Sequence, residues 1–446
     1  MSIPRGLIIA APASGSGKTV LTLGLLRALR NAGHAITGAK AGPDYIDPAF
    51  HTAASGRPAF NLDPWAMRQE TLAGLLAAHG SSADSVIVEG VMGLFDGVHL
   101  PDRPDAGSTA DLAAMTGWPV VLVVDAAKQA ASVGALVRGF TDHRADVRIA
   151  GVIFNRVASP THGAVLHDAT SAAAPDIRLL GCIGRNSDLT LPERHLGLIQ
   201  AGEHGDLEHF IETAAQSVSD GVDLDALVEL AEPCKISAPS TPAPEPLPPL
   251  GQRIAVACDQ AFAFSYPATL DGWRAAGAEI LPFSPLADDA PDPSADAIYL
   301  PGGYPELHAG TLAAAGNFLN GLRGAARGGV KIFGECGGYM VLGRGLVDAD
   351  GMRHQMADLL PVETSFAQRR LHLGYRTVNL RQDGPLGRAG RCFRGHEFHY
   401  ASVVNEAMES PLFSAENARG EDLGPAGATA GSVCGSFIHL IDRTAA

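Results

Sequence analysis

The chain has 446 residues, 46% of them hydrophobic and 18% charged, with a formal net charge of −15 at pH 7. This length predicts two or three domains with full cores, and the composition excludes disorder on a large scale. The acidic balance argues against non-specific nucleic-acid binding, and no apolar run is long enough to span a bilayer.

The opening segment, MSIPRGLIIAAP, lacks the cationic start and long apolar core of a signal peptide. Cys182, Cys234, Cys258, Cys336, Cys392 and Cys434 are scattered without a CxxC pair. The expectation is neither a zinc site nor a disulfide framework, but a cytoplasmic protein with reduced thiols.

In chain order, GLIIAAP (6–12) predicts a strand, and GKTVLTLGLLRALRNAG a helix that stops near Asn31–Gly33. Further strands are expected at 84–90, 118–126, 147–156 and 177–184. Their unbroken Val/Ile/Leu runs fit a buried parallel sheet, and the helical stretches between them fit repeated βαβ units. EPCKISAPSTPAPEPLPPLGQR, about 232–253, is proline-dense and reads as a semi-rigid linker. The pattern then restarts, with strands expected at 253–259, 278–284, 296–303 and 330–336 and helices near 267–277 and 311–327. HLGYRTVNL, GHEFHYASVV and GSVCGSFIHL read as antiparallel strands. No repeat of 20–50 residues is present. The expected domains are therefore residues 1–232, a linker over 233–250 and residues 251–446.

APASGSGKT, between the first strand and helix, has the composition of a phosphate-binding loop. Such a loop needs small residues so that backbone N–H groups can wrap phosphate oxygens. It also needs a Lys for the outer phosphates and a Ser or Thr for Mg²⁺. Ser14, Gly15, Ser16, Gly17, Lys18 and Thr19 meet these needs, although Pro12 stands where the pattern has its first Gly. Carboxylates at the ends of strands complete such a site. Glu89 directly follows an apolar strand and is a candidate; Asp44, Asp47 and Asp96 read equally well as turn acids. Asn155 closes another strand, where an amide can meet an adenine edge or cap a turn. LPERHLGL (191–198) reads as a turn that starts a helix.

In the second half, KIFGECGGYM places Cys336 between Gly334 and Gly338 at a strand-to-helix turn. This is the requirement of a nucleophile elbow, in which larger neighbours would clash. A base is needed: His439 in GSFIHL is the candidate, with His396 and His399 of RGHEFHY as competitors. YLPGGYPEL offers Gly302 and Gly303, whose N–H groups with that of Gly337 suit an oxyanion.

The order strand, PGG, G-x-C-x-G and late His resembles the class I glutamine amidotransferase domain over roughly 252–441. The resemblance implies that Cys336 attacks the side-chain amide of glutamine with His439 as base. Many such domains place a Glu two residues after the His; here that position is Ile441, and the nearest acid is Asp442. The first half resembles the dethiobiotin synthetase-like branch of P-loop ATPases. The whole α/β chain, with GPDYIDPAFH, VIVEGVMGLFDG, LHLGYR and GHEFHYAS, resembles the glutamine-dependent corrinoid amidotransferases of the a,c-diamide synthase branch.

That family implies ATP and Mg²⁺ as cofactors. Thr19, Asp47 and Glu89 would hold the metal, and Asp44, Tyr45 and Asp96 would line the corrinoid and phosphate site. Asn155 would contact adenine. The implied partners are a corrinoid and L-glutamine, with no nucleic acid or membrane; many such enzymes are homodimers. The implied reaction activates a carboxylate as an acyl phosphate and displaces phosphate with ammonia. A sibling tetrapyrrole amidotransferase is the nearest rival. A ParA/MinD-like ATPase switch would explain only residues 1–230.

Overall fold

In the computed structural model, residues 4–80, 83–190, 193–194, 197–237, 246–406 and 410–444 are described. The chain forms two compact units. One comprises Met1–Trp65, Gln69–Glu193 and Glu203–Ala243; the other comprises Ala66–Arg68, Arg194–Gly202 and Pro244–Ala446. The short excursions at 66–68 and 194–202 have no signature in composition.

In the first unit, β1 (Arg5–Ala10) leads through the glycine-rich loop into α1 (Lys18–Asn31). Then come β2 (Ile36–Ala41), α2 (Asp47–Ser55), β3 (Phe60–Leu62) and β4 (Ser85–Glu89). They are followed by β5 (Val120–Asp125), β6 (Ile149–Val157), β7 (Arg178–Gly184) and the two-residue β8 (Glu232–Pro233). The sheet runs β3-β2-β4-β1-β5-β6-β7, with β8 added antiparallel to the start of β1. The other ladders are parallel. Strand order reverses at β1, so the loops after β1, β4 and β5 meet at the switch point where ligands of such sheets bind. β2 was not legible: ITGAKA carries a threonine, a glycine and a lysine, yet all six residues are buried.

The proline-rich stretch begins later than its composition suggests, because β8 and the Cys234 N–H, which donates to Pro4 O, still belong to the first unit. Leu247 and Leu250 are already in the core of the second unit. Residues 238–245, the middle of the expected linker, lie outside the described residues, as do Leu191, Pro192, His195 and Leu196 of LPERHLGL.

The second unit holds β9 (Arg253–Ala257), β10 (Glu279–Phe283), β11 (Ala297–Leu300), β12 (Lys331–Glu335) and α3 (Gly337–Leu342). Further on are β13 (His372–Leu380), β14 (Cys392–His399), β15 (Phe413–Asn417), β16 (Asp422–Ala426), β17 (Ala428–Ala430), β18 (Val433–Ser436) and β19 (Ile438–Arg443). One sheet runs β10-β9-β11-β12-β18-β17, and an antiparallel sheet runs β16-β15-β13-β14-β19. The expectation of antiparallel strands over 431–440 is corrected in part. β18 extends the parallel sheet against β12, and only β19 joins the antiparallel one. The chain thus changes sheets at Phe437, which brings His439 beside the end of β12. Among the described residues no helix is long and apolar enough to cross a membrane.

Candidate active sites

The first site lies at the end of β1. Gly15 and Gly17 take φ of 77° and 86°, a region open to glycine at little cost. Gly17 is also required by a close approach: a Cβ there would sit 2.3 Å from Asn155 Nδ2. Lys18 Nζ donates to Met92 O at 2.6 Å, and Thr19 Oγ1 donates to Glu89 Oε1 at 2.6 Å. Pro12, Ser14, Gly15, Ser16, Asp125 and Lys128 line an open pocket of about 450 Å³ beside the loop.

Behind the loop is a buried charge cluster that the sequence reading saw only in part. Lys40 Nζ lies between Asp47 Oδ2 at 2.5 Å and Glu89 Oε1 at 2.9 Å. His51 Nε2 meets the other Glu89 oxygen at 2.7 Å. Burial alone would raise the Glu89 carboxyl, but the Lys40 charge and the His51 and Thr19 contacts outweigh it and hold it below the ordinary value. Burial and then the Asp44 charge push Asp47 up to about 7, against the pull of Lys40. One lysine cannot fully neutralise two carboxylates, so Glu89 is the acid that stays ionised. Burial, resisted by Glu89, lowers the Lys18 ammonium.

Asp44 Oδ1 accepts from Ile46 N at 2.8 Å and Asp47 N at 3.2 Å, starting α2. Tyr45 is buried beside it. Asp96 Oδ2 accepts from Gly93 N at 2.7 Å and so shapes the turn that presents Met92 O to Lys18. Asn155 Nδ2 donates to Ser16 O at 2.9 Å. That amide therefore shapes the loop, a role the adenine expectation did not include. Thr19, Asp47 and Glu89 are hard-oxygen donors of the type Mg²⁺ takes, and here the two carboxylates flank the Lys40 ammonium.

The second site is at the end of β12. Cys336 has φ 47° and ψ −103°, a strained backbone for a residue with a side chain and the mark of a nucleophile elbow. A Cβ on Gly302 would lie 2.3 Å from His439 Cε1 and 3.3 Å from Cys336 Cβ, so thiol and imidazole share the space above one glycine. A Cβ on Gly337 would lie 2.9 Å from Gly303 N, which puts the two oxyanion candidates side by side. Cys336 and His439 are both fully buried. Burial and then the Glu306 charge push the thiol up, with the Gly337 N–H opposing. Burial, then His396 and His399, bring His439 down to about 3.

His396 is the ladder partner of His439 and is lowered to about 4 by burial and then by Arg376. His399 is occupied elsewhere: Nε2 meets Glu397 Oε1 at 2.9 Å and Nδ1 meets Ala401 O at 3.1 Å. His372, Glu397 and His399 are close enough together to hold an ion. However, the two rings stack 4.7 Å apart at 5°, and parallel rings cannot both aim in-plane lone pairs at one metal. Asp442 is engaged by Arg68. Its carboxylate accepts from Arg68 N at 2.8 Å and from Arg68 Nη2 at 2.7 Å.

Residues 7–199 match the CobQ/CobB/MinD/ParA nucleotide binding domain, and residues 253–445 the CobB/CobQ-like glutamine amidotransferase domain. A hydrogenobyrinate a,c-diamide synthase of Rhizobium meliloti (strain 1021) is 55% identical over 98% of this chain and 99% of its own. Proteins of the same name from Brucella anthropi and Rhodobacter capsulatus are 54% and 52% identical. Each match covers 98% of this chain, with 98% and 99% of the relatives covered in turn. The chain belongs to the hydrogenobyrinate a,c-diamide synthase family. It is an amidating ligase that pairs a nucleotide-binding domain with a glutamine amidotransferase domain.

For this ligase the reading missed Lys40 and His51 in the first site and Glu335, Tyr299 and Arg68 in the second unit. A faint signal existed for His51, which stands four residues after Asp47 on α2 and so shares its face.

Proposed function

We propose that the chain amidates the a and c acetate carboxylates of hydrogenobyrinate, with ATP as activator and glutamine as nitrogen source. The relatives' shared name over nearly the whole chain carries the substrate. The two-site geometry supports the chemistry. Six free cysteines accord with a reducing cytoplasm.

In the second unit, Cys336 Sγ attacks the side-chain amide carbon of glutamine while His439 takes the thiol proton. The N–H groups of Gly303 and Gly337 face the developing oxyanion. The proton then passes from His439 to the departing nitrogen, ammonia leaves, and water releases glutamate from the thioester. In the first unit, a substrate carboxylate oxygen attacks the γ-phosphorus of ATP and ADP departs. Ammonia then adds to the acyl phosphate, and phosphate leaves with the formation of the amide.

Lys18 and the loop N–H groups hold the phosphates, and Asn155 keeps the loop in shape. Thr19, Asp47 and Glu89 would hold Mg²⁺, which supplies charge neutralisation at the phosphates. Asp44, Tyr45 and Asp96 organise the neighbouring turn for the corrinoid.

The test is mass spectrometry of the product formed from hydrogenobyrinate, ATP and glutamine. A gain of two amides supports the reading, and unchanged substrate defeats it. Cobyrinate run in parallel distinguishes a sibling that requires cobalt.

A further inference from the structure

The position two residues after the base is Ile441, which leaves the question of what sets the orientation of His439. The answer lies in the backbone. Along β14 and β19, Arg394 pairs with Asp442 and Gly395 with Leu440, so Ile441 is the extra residue of a bulge. A bulge interrupts the ladder and re-aims neighbouring side chains, and the buried amides beside it need acceptors. Leu440 N donates to Glu335 Oε1 at 2.9 Å, and the Tyr299 hydroxyl donates to Glu335 Oε2 at 2.6 Å. Glu335 is 2% exposed and immediately precedes the nucleophile. Cys336 N in turn donates to Ser436 O at 2.8 Å, three residues before His439. The elbow and the strand that carries the base are therefore tied on both sides.

We propose that Glu335 is the positioning residue of the glutaminase: its carboxylate holds the bulged strand by the Leu440 amide, so that His439 faces Cys336. This rests on the Cys336–His439 reading above. For packing alone an apolar residue would cost less, because a buried carboxylate without a cation beside it is expensive. Its charge also works against the chemistry. Burial and then Glu306 push the Cys336 thiol up, the Gly337 N–H opposes them, and Glu335 and Glu397 are further carboxylates that disfavour the thiolate. Position and charge are therefore separable by substitution.

Glutamine hydrolysis is measured in the full chain, with ammonium-driven amidation as the folding control because it bypasses the thiol. Glu335→Gln keeps the acceptor for Leu440 and is expected to retain kcat within about fivefold, the worth of one neutral hydrogen bond. Glu335→Asp keeps the charge but shortens the reach, and is expected to lose about tenfold or more in kcat with KM for glutamine little changed. Glu335→Leu is expected to lose about 10²-fold.

In Glu335→Gln, alkylation of Cys336 by iodoacetamide is also expected to shift to lower pH. Retention in the Asp variant with loss in the Gln variant would overturn the proposal, since charge rather than position would then matter. Wild-type rates in the Leu variant would do the same. Should the Leu variant fail to fold, the Gln and Asp pair still decides. Cys336→Ala tests the underlying reading separately: retained glutamine-driven amidation there defeats the Cys–His assignment whatever Glu335 does.

Discussion

The two sites store their buried ionisable groups in opposite states. Around the phosphate-binding loop, Lys40, Glu89, Asp47 and His51 are in direct contact and their charges are largely matched internally. Around Cys336, burial is the largest influence and favours the neutral thiol and the neutral His439 imidazole, and nearby carboxylates make the thiolate harder to form. A nucleotide-binding site must receive an anionic ligand, and fixed charges suit that without rearrangement. A thiol–imidazole site creates both charges in one proton transfer, and a neutral resting state guards an otherwise reactive sulfur.

The largest expected effect breaks the comparison at its second site. Cys336→Ala should lower glutamine-driven amidation by roughly 10⁴-fold while ammonium-driven amidation survives; loss of both would mean that the two sites are not separable. Next, Lys40→Met should impair amidation from either nitrogen source by about 10²–10³-fold. It should also destabilise the fold by about 3–5 kcal/mol, because two buried carboxylates lose their cation. Denaturant melts and steady-state assays measure both; normal activity with ammonium would remove Lys40 from the site.

Arg68→Ala leaves Asp442 buried without its partner, with an expected loss of about 3–5 kcal/mol. The double replacement Arg68→Leu with Asp442→Leu should recover much of that in calorimetry. An unchanged Tm in the single variant would show the pair to be marginal.

The pH dependence sharpens the same contrast. Folded His439 and His396 sit near 3 and 4, below the ordinary histidine value. Their neutral forms therefore favour the fold above about pH 6.5, and that contribution is lost as the pH falls toward those folded values. Glu335 and Asp47, both raised to about 7, act in the other direction: their contribution is lost as the pH rises from the ordinary carboxyl range to about 7. Glu335→Gln should therefore gain stability relative to the parent at pH 8 compared with pH 5, and His396→Phe should flatten the acid limb. Parallel curves for parent and variants would refute these assignments. The smallest effect is expected for Asn155→Ala, about 1 kcal/mol from the lost bond to Ser16 O, read as a several-fold rise in KM for ATP.

Much of both sites was legible because their chemistry is written locally. The glycine-rich loop between an apolar strand and a helix, and the glycines around Cys336, are short-range requirements of the backbone, and they stand in the sequence as spacing. Glu89 was legible for the same reason, as an acid ending an apolar strand. Asn155 and Asp442 were visible as residue types, but their partners were not. Asn155 meets a loop 139 positions away, and Asp442 meets Arg68 across 374.

The sequence by itself determined the two α/β halves, the phosphate loop, the nucleophile elbow and the late histidine, because each depends on neighbours within a few residues. Only the tertiary structure decided that Lys40 bridges two acids, that His51 meets Glu89 and that residues 66–68 belong with the second unit. It also decided that a bulge at Ile441 stands where an acid was expected. Those outcomes depend on which strands become neighbours and in what register. Pairing of that kind joins residues tens to hundreds of positions apart, and no local pattern of side chains encodes it.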